Sequence, residues 1–508
     1  MIIWQHQINN KAFLTLFLFA NFYDCVYTKS GLKPKGEIMR RTKIIATMGP
    51  ACESESVLEK MIKAGMNMAR FNMSHGTHES HKKHIETIKK LRTKLGVSLP
   101  IMVDTKGPEI RIKQFKNGSV ELAAGSTFVL TTRNIVGSED GVSLTYKDFP
   151  AIVGKGTRIL VNDGLIELRV LDKNDTDVLT KVIVGGKLSN NKSINVPDVD
   201  LKMEYLSDTD KKDIYFAKEM NAEFLSISFV SSKQDVIDVR NYLAEINAPK
   251  IKIISKIENQ KGVDNIDEII AVSDGIMVAR GDLGVEVPFE KIPEYQKRII
   301  AKCNKAGRLV ITATEMLDSM VTNIRPTRAE ISDVANAILD GTSLVMLSGE
   351  TSVGAHPAVV IETMAKIAEM AESGQKPHLD YSSFEKLNGN ITKSVAFGAC
   401  ALAITSGAKA ILAVTKSGTT AMDISSFKPQ LPILGCTPDE NVYQTLGAYY
   451  GVLPIKQPEM NSIDVLLSHA RDMAVSKGVV KKGDLVIQTA GKETHISGSN
   501  MLALNVIE

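Results

Sequence analysis

The sequence has no cysteine framework. Its 508 residues hold five cysteines, Cys25, Cys52, Cys303, Cys400 and Cys436, scattered and odd in number. No Cys-x-x-Cys pair or Cys/His cluster occurs, which excludes a disulfide scaffold and a zinc site and fits a reducing, cytoplasmic setting. The chain also lacks an excess of one charge. Its 61 Lys+Arg against 58 Asp+Glu leave a net +3, with no long basic run. Neither nucleic acid nor a membrane surface is implied as a partner. No apolar run spans a bilayer. Ala12 to Ala20 is apolar apart from Thr15, but roughly 20 residues are needed. The run looks like a signal-peptide core, yet only Lys11 supplies a positive flank and no small-residue cleavage site follows. Residues 1–38 are therefore expected to lie upstream of a true start at Met39, or to form a disordered appendage. Internal repeats and low-complexity segments are not evident.

What is present is an ordinary globular composition, 44% hydrophobic and 23% charged, in a chain long enough for two to four domains. From Met39, short apolar strands alternate with amphipathic helices, the pattern of a parallel sheet. The predicted strands are Lys43–Thr47, Met66–Phe71, Pro100–Asp104, Phe224–Phe229, Ile251–Lys256, Gly275–Ala279, Leu309–Thr312 and Leu344–Leu347. Helical patterns such as His78–Leu95, Lys233–Leu243 and Arg328–Leu339 follow them. Eight such units predict an α/β chain built on a TIM (β/α)8 barrel over residues 39–108 and 204–376. Residues 109–203 interrupt the pattern with short alternating strands and Gly/Asn/Asp turns, which predicts an inserted small β-barrel domain. Placed above the strand ends, such an insertion would act as a lid. After Gly374-Gln375-Lys376-Pro377, residues 377–508 read as an open α/β sheet domain.

Polar residues gather just beyond the strands. They include Asn72, Ser74, Asp104, Thr105, Lys256, Glu258, Asp282, Thr314, Ser348 and Glu350. In a barrel these positions share the C-terminal rim, where active sites are built. Each alone reads more readily as a helix cap, Ser348-Gly349-Glu350 most of all; together they argue for a site. In the run Ile253-Ile254-Ser255-Lys256-Ile257-Glu258-Asn259, the lysine and glutamate stand two apart and face one side of an extended chain. Asp282 follows the next strand among glycines. A lysine and two carboxylates on neighbouring strand ends can hold a divalent cation and stabilise a developing anion.

The longer motifs resemble the pyruvate kinase family from Met39 to the C-terminus. They are Met68-Ala69-Arg70-Phe71-Asn72-Met73-Ser74-His75-Gly76, Asp104-Thr105-Lys106-Gly107-Pro108-Glu109-Ile110-Arg111, Ile254-Ser255-Lys256-Ile257-Glu258-Asn259, Ala279-Arg280-Gly281-Asp282-Leu283-Gly284, and Pro326-Thr327-Arg328-Ala329-Glu330 leading to Ser348-Gly349-Glu350-Thr351. The resemblance implies phosphoryl transfer from phosphoenolpyruvate to ADP, usually in a homotetramer. It assigns Lys256, Thr314 and Arg70 to catalysis, and Arg70, Lys256, Gly281, Asp282 and Thr314 to the substrate. Asn72, Arg111 and His75 go to the nucleotide, although His75 reads more readily as part of a helix entry. Glu258 and Asp282 are implied as ligands of Mg²⁺ or Mn²⁺, and Asn72, Ser74, Asp104 and Thr105 as ligands of K⁺. Glu109 is the residue type of K⁺-dependent members, although Ile112 stands where they commonly have threonine. In the insertion, Asn162-Asp163-Gly164 resembles a family turn with two aspartates, so only Asp163 carries over. Glu315, and Met203-Glu204 with Asp208-Thr209-Asp210, depart from the family pattern and bear on ADP affinity; a nucleotide-side lysine of the family is absent here or replaced by Lys211 or Lys212. Thr415, Lys416, Ser417, Gly418, Thr419 and Thr420 resemble an allosteric sugar-phosphate loop, and His495–Asn500 its shortened companion. Two rival readings are another metal-dependent barrel enzyme acting on a phosphoenolpyruvate- or oxaloacetate-like acid, and a non-catalytic sugar-phosphate sensor. Coupled ATP formation discriminates against both.

Overall fold

The computed structural model describes residues 39–508 except 198, 200–202, 376–378, 380–386, 388–389, 460–461 and 492–498. The expectations for residues 1–38 and for most of the His495–Asn500 loop lie outside the described residues. Eight parallel strands close into a barrel. They are β1 (Lys43–Thr47), β2 (Met68–Asn72), β3 (Ile101–Asp104), β4 (Phe224–Ile227), β5 (Lys252–Ile257), β6 (Gly275–Ala279), β7 (Leu309–Ala313) and β8 (Leu344–Leu347). Each strand pairs with its neighbours in sequence, and β8 pairs with β1. The strands are near-continuous apolar runs because both faces are covered: β1, β6 and β7 are buried throughout. One face packs inside the barrel through Ile45, Met68, Met102, Phe224, Ile254 and Met277. The other meets the surrounding helices in a second, larger core.

Helix starts follow local capping chemistry. Thr77 caps His78–Leu95 by accepting the Ser80 N–H, with the Ser80 side chain returning to the cap. Thr327 and Glu330 form the same box at the head of Arg328–Leu339. The Thr-Arg-Ala-Glu motif is thus explained in part as a helix start.

Between β3 and the helix Asp208–Glu219 stand a seven-stranded sheet and a two-stranded ribbon around their own apolar core. The end strands of the sheet are Ile110–Arg111 and Gly141–Ser143, and an isolated bridge from Ile112 to Leu144 brings those ends together. The sheet therefore curls on itself, as expected of a small barrel. The pieces that the sequence pattern misses, Gly186–Ser189 and Ser193–Asn195 among them, are too short for alternation to register.

The C-terminal region is an open sheet of β9 (Ala410–Val414), β10 (Ile433–Thr437), β11 (Val452–Lys456), β12 (Leu485–Ala490) and β13 (Met501–Val506), in the order β11-β10-β9-β12-β13. The last strand is antiparallel to β12. The turn leading into β11 reaches the barrel at the start of β1. Ala448, fully buried, joins the interior cluster beneath the strands, and Lys43 Nζ donates to the Val452 carbonyl at 2.7 Å.

Candidate active site at the barrel rim

The strand ends bring together the charged residues expected there. Asn72 and Asp104 are opposite one another at the ends of β2 and β3. From β5, Lys256 and Glu258 face the same side, with Nζ 2.9 Å from Oε1. Lys256 Nζ also lies 3.4 Å from Asp104 Oδ1 and donates to Ser228 Oγ at 2.8 Å. Ser228 in turn donates to the Thr105 carbonyl at 2.7 Å. Arg70 Nε donates to Asp104 Oδ2 at 2.6 Å, Nη2 pairs with the same oxygen, and Nη1 reaches Thr47 Oγ1 at 3.0 Å. Two cations and two carboxylates thus share one buried cluster on β2, β3 and β5.

Burial lowers the Lys256 ammonium, but the Asp104 and Glu258 carboxylates outweigh it and hold the group above the ordinary lysine value. The proton stays on the lysine. Burial pushes Glu258 up to about 7; Lys256 opposes this and Asp282 adds to it. Glu258 Oε2 accepts the Phe229 N–H at 2.6 Å. Its buried Oε1 has no hydrogen-bond donor other than the ammonium. The half-buried Asp282, in the first helical turn after the next strand, is near enough for its charge to raise Glu258, and the two carboxylates are an oxygen-only set suited to a hard divalent cation. Among the described residues no group of three or more His, Cys, Asp or Glu gathers as a metal site. Two protein carboxylates, with the rest from water and substrate, is the arrangement Mg²⁺ ordinarily takes.

Two stretches of backbone are strained here. Phe229 has φ 56°, and Thr314 and Glu315 have φ 65° and 54°. Such residues cost about 1–3 kcal/mol each and persist only where the surroundings over-determine them. The Thr314 hydroxyl accepts the Gly281 N–H at 2.8 Å and donates to the Ala313 carbonyl at 2.5 Å. Gly281 and Asp282 lie in the first turn of the helix Arg280–Glu286. Gly107, φ 70°, passes so close to Ser228 that an added Cβ would stand 2.9 Å from the serine Cβ.

Other expected residues are placed differently. Asp104 Oδ2 is engaged by Arg70, but its buried Oδ1, 3.4 Å from Lys256 Nζ, accepts no hydrogen bond among the described residues and stays available beside the other K⁺ candidates Asn72, Ser74 and Thr105. Asn72 Oδ1 accepts the Ser74 N–H at 3.0 Å. Arg111 is turned to Glu109, at 2.5 and 2.9 Å, and to the Asn191 carbonyl at 2.7 Å. None of these contacts joins it to the Lys256 cluster. His75 is exposed and its carbonyl faces His81 at 2.7 Å, in keeping with a helix entry. Lys211 pairs with Glu204 at 4.0 Å, and Lys211 and Lys212 line an outer groove of about 480 Å³ with His78, Tyr215 and Tyr242. Glu350 is a buried brace that accepts the Leu317 and Ser348 N–H groups at 3.1 and 2.6 Å, the cap-like role anticipated for it. In the C-terminal loop, Thr415 Oγ1 accepts the Gly418 N–H at 3.0 Å and Ser417 and Thr419 hydroxyls meet at 3.0 Å. Thr420 reaches the buried Ser499 at 2.5 Å, and the exposed Lys416 pairs with Glu459 at 3.6 Å.

Ser228 and Arg280 escape the sequence reading. Ser228 lies inside the predicted Phe224–Phe229 strand, which ends early at Ile227. Extending the strand-end search to β4 would find it.

A closed eight-stranded barrel with a lysine–carboxylate cluster at its rim, an inserted curled sheet and a C-terminal open sheet defines a class of multidomain barrel enzyme. Comparison with known proteins narrows that class. The model of the pyruvate kinase barrel domain matches residues 39–361, and that of the pyruvate kinase alpha/beta domain matches residues 393–504. The chain is 44% identical over 477 residues to a pyruvate kinase of Clostridium acetobutylicum, covering 92% of this chain and all of the relative. It is 44% identical over 478 residues to one of Clostridium perfringens, again covering 92% of this chain and all of the relative. A Staphylococcus haemolyticus pyruvate kinase is 44% identical over 473 residues, covering 92% of this chain and 81% of the relative. The chain belongs to the pyruvate kinase family.

Proposed function

We propose that the rim cluster performs the reaction of this family as follows. The chain acts as a pyruvate kinase, moving the phosphoryl group of phosphoenolpyruvate to ADP to give pyruvate and ATP. Such transfer is governed by charge neutralisation and in-line positioning. Lys256 is the central group. Its ammonium, kept protonated among Asp104 and Glu258 and aimed by Ser228, faces the transferring phosphoryl group and then the enolate oxygen. Arg70, locked against Asp104 and Thr47, supplies a second fixed cation for the substrate phosphate. The helix start at Gly281 and Asp282 receives the substrate carboxylate. Thr314 orients the group that protonates the enolate carbon. Glu258 and Asp282 would hold a divalent cation, which when bound would supply Lewis-acid neutralisation of developing negative charge. Asn72, Ser74, Asp104 and Thr105 are the K⁺ candidates. The inserted sheet serves as the lid, a reading supported by its hydrogen bond from Asn195 to Glu286.

The observation that carries the proposal is the Lys256–Glu258–Asp104 cluster on adjacent strand ends. Purified protein with phosphoenolpyruvate, ADP, Mg²⁺ and K⁺ is expected to form ATP, and omission of K⁺ to cut the rate at least tenfold. ATP formation undiminished without K⁺ would remove the K⁺ assignment; no ATP under any condition would remove the whole reading.

A homotetramer is part of the same proposal. In its support, β13 pairs only with β12 among the described residues and carries exposed Leu502, Leu504 and Val506. Four cysteines, Cys52, Cys303, Cys400 and Cys436, are free and buried, which supports a cytoplasmic setting. No helix among the described residues is long and apolar enough to cross a membrane. The loop Thr415–Thr420 is retained as a site for a phosphorylated effector, supported by its place at the head of the helix Thr419–Ser426.

A further inference from the structure

Arg280 opens the helix that carries Gly281 and Asp282, yet its side chain is buried and engaged with a neighbouring loop. Nη2 donates to the Thr314 carbonyl at 2.6 Å and to the Glu315 carbonyl at 3.0 Å, and Nε donates to the Thr314 carbonyl at 3.2 Å. Nη1 is anchored from the other side by Asp333 Oδ2 at 2.7 Å, on the helix Arg328–Leu339. The two residues whose carbonyls it grips are the two at positive φ after β7, and the first is β-branched. A left-handed β-branched residue is an outlier that must be held in place. The Thr314 hydroxyl meanwhile accepts from Gly281 N–H, the amide next to Arg280 itself. One guanidinium fork therefore fixes the carbonyl side of the strained pair, and the adjoining amide fixes the hydroxyl.

We propose that Arg280 is a positioning residue for Thr314: its fork, anchored by Asp333, holds the left-handed Thr314–Glu315 backbone and so sets where the threonine hydroxyl stands during protonation of the enolate. This rests on the reading of Thr314 as the orienting group of that step. Lysine cannot replace the fork, because an ammonium is a single point donor on a flexible stem.

By microscopic reversibility, exchange of pyruvate methyl hydrogens with solvent reports the protonation step, whereas ATP formation from phosphoenolpyruvate reports phosphoryl transfer. Arg280→Lys, Asp333→Asn and Thr314→Ala are compared with the unaltered protein in both assays. Exchange is followed by proton NMR in D2O with pyruvate, ATP, Mg²⁺ and K⁺. The expected result is that Arg280→Lys lowers exchange about tenfold more than it lowers ATP formation, in the same direction as Thr314→Ala. Asp333→Asn, at a more exposed position, is expected to shift the ratio about threefold with its melting temperature little changed. A ratio unchanged in both variants overturns the proposal, whatever their stability, because a merely structural role lowers both rates together. If Arg280→Lys does not fold, the Asp333→Asn ratio decides alone. An unaltered protein that forms no ATP would instead overturn the functional reading.

Discussion

Lys256 shows what a residue-level argument can and cannot reach. Its pairing with Glu258 follows from strand periodicity alone, because residues two apart share a face, and Nζ stands 2.9 Å from Oε1 as that periodicity requires. Its remaining partners were hidden. Asp104 arrives from β3 through barrel closure, and Ser228 through the early end of β4 at a left-handed Phe229. Neither contact is written in local pattern. Arg280 was hidden for a similar reason: its neighbours in sequence are the site, but the Thr314 carbonyl it grips and its Asp333 anchor are more than thirty positions away. Ser228→Ala removes the hydroxyl that ties Lys256 to the Thr105 carbonyl. It is expected to lower kcat about tenfold with KM for phosphoenolpyruvate changed less than threefold, since a hydrogen bond to a charged group is worth about 1.5 kcal/mol at the low end and the ammonium keeps both carboxylates. Steady-state kinetics would check it; a loss confined to KM would contradict the role.

At the scale of elements, the barrel was legible because each unit repeats the same apolar run and amphipathic helix, and capping residues mark the helix starts. Three predicted barrel strands, Lys43–Thr47, Gly275–Ala279 and Leu344–Leu347, match the observed ones, and the other five differ by a residue or two at their ends. The inserted sheet was legible in kind but not in detail. Its longest strands, Ile166–Lys173 and Asp177–Val184, have eight residues, but short ones such as Ile110–Arg111 and Ser193–Asn195 are defined by partners across the sheet and not by their own pattern. That sheet touches the barrel at the helix bearing Asp282: Asn195 Nδ2 donates to Glu286 Oε1 at 2.8 Å, and the Gly164 turn lies beside Val285. If the insertion is the lid, this contact helps set its closed position. Asn195→Ala is then expected to raise KM for phosphoenolpyruvate several-fold, up to about tenfold, in keeping with about 1.5–3 kcal/mol for a hydrogen bond to a charged group at most. Initial-rate measurements over phosphoenolpyruvate concentration would show this, and an unchanged KM would argue against the contact as a latch.

At the scale of the whole molecule, the C-terminal sheet is docked under the barrel through buried polar chemistry that no linear pattern announces. Arg41 donates to the Glu372 carbonyl at 3.0 Å and to Tyr450 at 3.1 Å. Lys428 is half-buried over the Tyr450 ring, 3.3 Å from Ser343 Oγ and in contact with the Gly341 carbonyl, with Cys303 nearby. Burial lowers Lys428 to about 7. An unfolded lysine binds its proton up to about 10.4, so the unfolded chain binds more protons between those values. Stability from this group therefore rises with pH from about 7 to about 10, and the group opposes folding below that window. Lys428→Met is expected to flatten this rise in a melting-temperature series from pH 6 to 9. A series identical to that of the unaltered protein would contradict the shift.

Lys256 is proposed as the stabiliser of the transferring phosphoryl group and the enolate, and the Lys256→Met variant puts that role to the test. ATP formation from phosphoenolpyruvate and ADP should fall by at least about a thousandfold, the scale on which fixed charge at a developing anion acts. Mn²⁺ binding, followed by electron paramagnetic resonance, should persist, because Glu258 and Asp282 remain. Near-normal ATP formation by the variant would contradict the central claim.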